Sequence, residues 1–276
     1  MAGLCIFFFA SAFVISCAKA NEEVFQDVAR LCDQFCVVRS DTRCQKKAMP
    51  KPDIYVSMDK IDGSEVAATG LSEEVTVRGS PKPSLVPGKV NYAIQLQNTQ
   101  TLDDKFIDLG YLRGRCADNL EKCKDGLTVS IWFWHEYIYD WPVIMSASQW
   151  QIHTHGMPRK ANEVYMSFFR SDGMKRYMLG GHWNTSVSDE QWHHVAFVFR
   201  GYDNIRLFVD GELNAETIRF DKDMSLTDKH VQIGCHMGGN CMRGKFDELK
   251  IWEQALSDED IKNIYNQKDE KVPIIP

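Results

Sequence analysis

"GKFDELKIWEQALSDEDIKNIY", residues 244–265, begins with the spacing of a strand and ends with the spacing of a helix. Phe246, Leu249, Ile251 and Trp252 form a dense apolar run after Gly244, the pattern of a strand with a buried face. Ser257 is placed to cap a helix, and Asp258, Glu259 and Asp260 fill its first turn, where the helix dipole favours acids. Ile261, Ile264 and Tyr265 recur at i, i+3, i+4 and make one apolar stripe. A helix of about three turns is too short to stand alone in water. It must dock on a body that is already folded.

That body reads as strands. From Ile54 onward the chain carries "IYVSMD", "EEVTVRG", "VNYAIQL", "KFIDLG", "LTVSIWFWHEY", "WPVIMSAS", "EVYMSFFRS", "KRYMLGG", "QWHHVAFVFRG", "NIRLFVDG", "KHVQIG" and "KFDELKIW". These are short apolar or alternating runs, and Gly, Asp, Asn or Pro punctuates most of the gaps. Many short strands with almost no helix predict an all-β sandwich or barrel, and about 220 residues is normal for one such domain. The apolar fraction of 44% and charged fraction of 25% suit a globular chain, and a net charge of -6 does not suit a nucleic-acid binder.

The first stretch differs. "MAGLCIFFFASAFVISCAKA" is apolar from Leu4 to Ala18 and ends in Ala18-Lys19-Ala20, a small-x-small cleavage pattern. It falls short of the ~20 residues that a spanning helix needs, so residues 1–20 are expected to be a signal peptide and the mature chain to begin near Asn21 and be secreted. No later run is long and apolar enough to span a bilayer. Residues 21–52 form a cysteine-containing preface: Val24, Phe25, Val28, Leu31, Cys32 and Phe35 have helical spacing, and "KKAMPKPD" reads as a linker.

Of nine cysteines, Cys5 and Cys17 lie in the leader and seven remain. In an oxidising compartment these are expected to pair. Spacing predicts Cys116–Cys123 and Cys235–Cys241 as local bridges, the second around the turn Gly238-Gly239-Asn240. Cys32, Cys36 and Cys44 leave an odd thiol, read either as the bridge of a disulfide-linked dimer or matrix attachment, or as a capped spare in a monomer. Cys44 folding back on Cys32 or Cys36 is the preferred intrachain bond, because a bridge between the last two would strain the helix. No C-x2-C pair supports zinc.

Four segments carry a family resemblance. "QWHHVAFVFRGYDNIRLFVDGEL" resembles the W-H-H-V-A hairpin of laminin-G-like, pentraxin-related jelly rolls, and residues 244–265 resemble their closing strand and helix. "LVPGKVNYAIQL" with "KFIDLG" resembles their early strands, and "CADNLEKCKDGLTVSIWFW" resembles the disulfide-bearing subgroup. The resemblance implies a concanavalin A-like sandwich of two stacked antiparallel sheets over residues 53–268, followed by a tail, 269–276. It also implies that the closing helix packs on the sandwich through Leu256, Ile261, Ile264 and Tyr265.

Fold does not fix function. A glycanase on this sandwich needs two carboxylates at a defined spacing. The E-x-D-x-x-E pattern of the glucanase relatives is absent. Asp247, Glu248 and Glu253 come nearest, but adjacent strand residues should point to opposite faces. No G-x-S-x-G or H-E-x-x-H occurs. His153 and His155 alternate as two metal ligands would, without an assignable third; His193 and His194 are structural by resemblance. By the same resemblance Asp59 in the first strand and Asp247 in the last are expected calcium ligands, since calcium prefers oxygen donors.

Carbohydrate binding is expected to draw on Tyr137, Tyr139, Trp141 and Trp150, near the "WHEYIYDWP" turn, whereas Trp132 and Trp134 alternate onto one face and read as core. Asn184-Thr185-Ser186 is a glycosylation sequon. The sequence therefore predicts a secreted, non-enzymatic binding or adhesion module for an extracellular glycan or a matrix or cell-surface protein. The alternative is a calcium-dependent lectin, with a glycan-acting hydrolase further behind.

Overall fold

The computed structural model describes residues 49–98, 105–136, 141–155, 163–169, 176–180, 187, 190–217, 230–236 and 239–267. The leader, the preface helix, Cys32, Cys36, Cys44, Tyr137, Tyr139, Asn184 and the tail 269–276 lie outside the described residues. Contacts divide the chain into residues 1–50 and 51–276, and every element below belongs to the second unit.

The strands are β1 (Ile54–Asp62), β2 (Glu65–Thr69), β3 (Val75–Arg78), β4 (Ser84–Pro87), β5 (Tyr92–Leu96), β6 (Phe106–Asp108), β7 (Leu127–His135) and β8 (Val143–Ser146). They continue with β9 (Trp150–His155), β10 (Glu163–Phe169), β11 (Arg176–Gly180), β12 (Trp192–Phe199), β13 (Ile205–Val209), β14 (Glu212–Thr217), β15 (Gln232–Ile233) and β16 (Gly244–Trp252). One helix, α1 (Asp258–Asn266), closes the described chain.

Pairing is antiparallel between these strands. The expectation of two separate sheets is refined. One hydrogen-bonded path runs β11-β10-β9-β8-β15-β6-β3-β2-β1-β16-β7-β12-β13-β14, with β5 joined to β16 and β4 to β5. The path folds over, so that β10 approaches β13 and β11 approaches β14. Between the layers lie Val129, Ile131 and Phe133 of β7, Val195, Phe197 and Phe199 of β12, and Ile152, Val164, Met166 and Phe168 of β9 and β10. Burying each such side chain is worth about 1.5–3 kcal/mol, which is why period-2 alternation sets the register.

The alternation breaks once in β16. Phe246 and Leu249 both enter the core, and register against β7 shifts between Asp247 and Lys250, with Glu248 at φ 53. This is a β-bulge. It corrects the expectation that Asp247 and Glu248 face opposite ways: both are kept out of the core on the same side.

The helix docks as expected. Ser257 Oγ accepts from Asp260 N at 3.1 Å and Asp260 Oδ2 accepts from Ser257 N at 3.0 Å, a complete capping box. Leu256, Ile261 and Ile264 are buried, and Tyr265 stacks on Trp132 with ring centroids 5.5 Å apart. Gly211, at φ 79, leaves room for that ring, because a Cβ there would lie 2.9 Å from Tyr265 Cδ1. Trp132 is thus not in the sandwich interior. It and Trp134 occupy the outer face of β7, Trp132 under the helix and Trp134 half-exposed beyond it.

Cys116–Cys123 and Cys235–Cys241 are bonded. The first loop is tied to the β8–β9 turn: Leu120 N donates to Gln149 Oε1 at 2.8 Å, Ser148 Oγ to Asp118 Oδ1 at 2.8 Å, and Trp150 Nε1 to Ala117 O at 3.0 Å.

Candidate functional site

The alternation of β10 turns Glu163, Tyr165 and Ser167 to one side and Val164, Met166 and Phe168 into the core. His153 lies opposite Tyr165 on β9, and Gln151 opposite Ser167. The Tyr165 and His153 rings stack, 5.8 Å apart and 9° from parallel. Trp141, just before β8, completes the group with its ring 5.2 Å from His153 and 5.7 Å from Tyr165. Beneath them His153 Nε2 and Ser167 Oγ share a 2.6 Å hydrogen bond. Tyr165 OH donates to Glu163 Oε2. Burial, then that bond, pushes the phenol up to about 12, so it remains a donor across ordinary pH.

Two features set this cluster apart. Trp141 and Tyr165 are half-exposed while His153 and Ser167 are buried beneath them. Trp141 also holds a left-handed backbone, φ 58, which is costly for a bulky residue. An outlier of this kind is over-determined by its surroundings and is common where a side chain must be presented. Two aromatic rings beside a carboxylate form a surface suited to the apolar faces and hydroxyls of a sugar.

A second cluster is acidic. Asp247 is fully buried; its Oδ2 accepts from Lys89 N and Val90 N, both at 2.9 Å, while Oδ1 is buried without a hydrogen-bond partner. Asp59 Oδ1 accepts from Tyr92 N at 3.0 Å. Glu248 accepts from Tyr55 OH at 2.6 Å and pairs with Lys250 Nζ at 2.8 Å. Burial pushes Asp247 up to about 8; Glu248 and Asp59 add to this, and the Val90 and Lys89 amides oppose it. Among the described residues no group of three His, Cys, Asp or Glu is placed to hold a metal. A cation here would need backbone carbonyls to complete its ligands, which suits calcium rather than zinc.

The remaining expected residues fall in different places. Trp150 is corrected: it is fully buried, packs on Phe197 at 4.7 Å and secures the first disulfide loop, so it offers no face to a ligand. Glu253 is structural as well, accepting from Arg115 Nε at 2.9 Å and Cys116 N at 3.0 Å. His193 Nδ1 lies 2.7 Å from Asp210 Oδ2, and the His155 side chain lies outside the described residues. Tyr165 and Glu163 were not singled out from sequence, although the alternation in "EVYMSFF" places them on one face.

A laminin G-like family model, described as the concanavalin A-like lectin/glucanases superfamily, matches residues 114–262, more than half of the chain. The human adhesion G-protein coupled receptor D1 is 26% identical over 190 residues, which are 64% of this chain and 20% of that protein, so the chain spans about one fifth of its relative. Domain 4 of AbnA, a GH43 extracellular arabinanase from Geobacillus stearothermophilus solved with arabinotriose, superposes at TM-score 0.58 and 17% identity, covering 78% of this chain and 98% of that one. The botulinum neurotoxin DC binding domain, solved with rat synaptotagmin II, does so at 0.57 and 14%, covering 76% and 50%. The serotype D ligand binding domain, solved with N-acetylneuraminic acid, follows at 0.53 and 16%, covering 78% and 50%. At such identities these structures share the fold alone.

Proposed function

Because the chain belongs to the concanavalin A-like lectin/glucanases superfamily, we propose that it is a secreted, non-enzymatic recognition module that binds glycan through Trp141 and Tyr165. The observation that carries this reading is the half-exposed Trp141, held at positive φ against Tyr165 and His153. The fold is also that of a domain solved with arabinotriose and of one solved with N-acetylneuraminic acid, which supports a sugar as ligand. A hydrolytic role is disfavoured by the use made of the acids: Asp247 and Glu253 hold backbone amides, and Glu248 holds Tyr55 and Lys250. A glycan array probed with the parent protein and with Trp141→Ala tests the reading. Signal in the parent that is lost in the variant supports it; an array without signal removes it.

Calcium dependence is the second reading, favoured by the buried Asp247 Oδ1 without a partner. Asp247 and Asp59 would hold the ion together with backbone carbonyls, and the ion would supply their counter-charge, Lys250 being already paired with Glu248. A ligand seen only by the folded state stabilises by about 2.7 kcal/mol at a hundred times its dissociation constant. Melting curves that coincide in millimolar calcium and in EDTA would remove this site.

Two further expectations complete the proposal. The spare thiol among Cys32, Cys36 and Cys44 links two copies, to be read as a reductant-sensitive dimer band on a non-reducing gel. Asn184 carries glycan, to be read as a mass loss on enzymatic deglycosylation.

A further inference from the structure

The left-handed backbone of Trp141 needs a restraint, and the residues that follow it show where the restraint comes from. Pro142 O accepts from Thr154 N at 3.0 Å, which ties the chain to β9. On the other side, Val143 N donates to Asn240 O at 2.9 Å, and Val143 forms a parallel bridge with Cys241. This second restraint is not a regular strand. It belongs to the loop closed by the Cys235–Cys241 disulfide.

That loop is anchored at several further points. Met242 N donates to Gly234 O at 2.7 Å, and Gly234 N donates to Ile144 O at 2.8 Å, so the two ends of the loop are joined to each other and to β8. Gly239 N donates to His236 O at 3.0 Å, which closes the turn within it. Cys235 O accepts from Ser146 Oγ at 3.0 Å. The half-exposed His236 ring stacks on the half-exposed Phe169 of β10, 5.7 Å away and 20° from parallel.

These anchors put the loop on the same side of the sheet as the Trp141 cluster. Val143, His153 and Tyr165 form one cross-strand row of β8, β9 and β10, and Ser146, Gln151 and Ser167 form the next. Phe169 follows Tyr165 and Ser167 on that side by alternation. Val143, Ser146, Gln151 and Ser167 are buried although they point away from the core, and the Cys235 carbonyl and His236 ring lie against this face. The loop itself stands apart from the sandwich interior: Cys116 joins the hydrophobic core cluster, and Cys235 does not. With a sequence separation of 6, the disulfide closes a small ring that leaves Asn240 O little freedom to move.

We propose that the loop closed by Cys235–Cys241 is the positioning element of the Trp141 site. It holds Trp141 in place through Val143, and the geometry of the site depends on it whereas the sandwich does not. The consequence for binding rests on the reading of Trp141 as a ligand contact.

The test uses full-length protein labelled with 5-fluorotryptophan, with the Trp141 and Trp150 resonances assigned by Trp141→Phe and Trp150→Phe. Cys235→Ser with Cys241→Ser opens the ring. His236→Ala keeps the bond and removes the stack on Phe169, and His236→Phe restores an aromatic ring there. The expected result is a displaced or broadened Trp141 signal in the first two proteins, a parent-like signal in His236→Phe, and an unmoved Trp150 signal throughout. Binding to a glycan array should follow the Trp141 signal, weakening about tenfold in the first two and recovering in the third. An unmoved Trp141 signal in the opened-ring protein would overturn the positioning. If opening the ring also displaces Trp150, the Trp141 signal of His236→Ala decides in the same way. A parent that is silent on the array would remove the glycan reading alone, because the Trp141 signal is read without ligand.

Discussion

The helix-covered face around Trp132 and the cluster around Trp141 on β9 and β10 are both aromatic, and they differ in exposure. Under α1, Trp132 and His194 are buried, and both ring nitrogens of His194 lack a hydrogen-bond partner. Burial drives that imidazole down to about 3, with Lys250 and Lys89 pushing the same way and Asp210 opposing. In the other cluster, Trp141 and Tyr165 are half-exposed, with buried His153 and Ser167 bonded beneath. An aromatic row capped by a helix serves stability and keeps its neighbours neutral. A half-exposed aromatic pair, held at a backbone cost, is the part that our proposal assigns to the ligand.

The largest expected effect is the contrast between the two tryptophans in stability. Trp132→Ala should cost about 3–5 kcal/mol, as truncations of buried aromatics do. Trp141→Ala should cost less than about 1 kcal/mol, because its ring is partly in solvent. Denaturant unfolding of both variants is the check, and equal losses would erase the distinction between the faces.

Acid should then separate them further. His194 has a folded value near 3 against 6.5 unfolded, so its neutral form is favoured by folding. Its contribution is intact above 6.5 and is lost as pH falls from there toward 3, at about 1.4 kcal/mol per pH unit. Asp247, pushed up to about 8, works in the opposite direction over part of this range, so the whole-protein curve should be shallow. The difference between the parent and His194→Gln isolates the histidine. It should shrink steadily with acidification below 6.5, and a pH-independent difference would contradict the assignment.

Smaller effects test the frame of each region. Ser257→Ala removes the helix cap and should cost about 1 kcal/mol, loosening Tyr265 from Trp132. In the Trp141 cluster, Trp141→Gly should be more stable than Trp141→Ala by about 1 kcal/mol, because only glycine adopts positive φ without penalty. Equal stability of these two variants would show that the backbone there is not strained.

Much of the covered face was legible in the sequence, because its signals are local. Ser257, the acids after it and the i, i+3, i+4 stripe announce the helix, and the alternation of "LTVSIWFWH" and "WHHVAFVF" announces the strands. What alternation cannot say is which side the helix covers, so by alternation alone Trp132 and Trp134 read as core. The bulge at Glu248 escaped for a related reason. It adds one residue to a strand without a turn signal, and so carries Asp247 and Glu248 to one side. The "WHEYIYDWP" turn draws attention to Trp141, and composition alone does not separate its half-exposed ring from the buried ring of Trp150. That separation depends on the docking of the Cys116–Cys123 loop, a contact between distant stretches of chain. Tyr165 is readable from "EVYMSFF" once His153 is known to lie across from it, and Glu163 follows by alternation.

The most direct test of the central assignment is a glycan array read with the parent, Trp141→Ala and Trp150→Phe proteins, all confirmed as folded by near-UV circular dichroism. Binding in the parent that persists in Trp150→Phe and disappears in Trp141→Ala is the predicted result. Binding that survives Trp141→Ala at the parent's affinity would contradict the placement of the ligand at the Trp141 cluster.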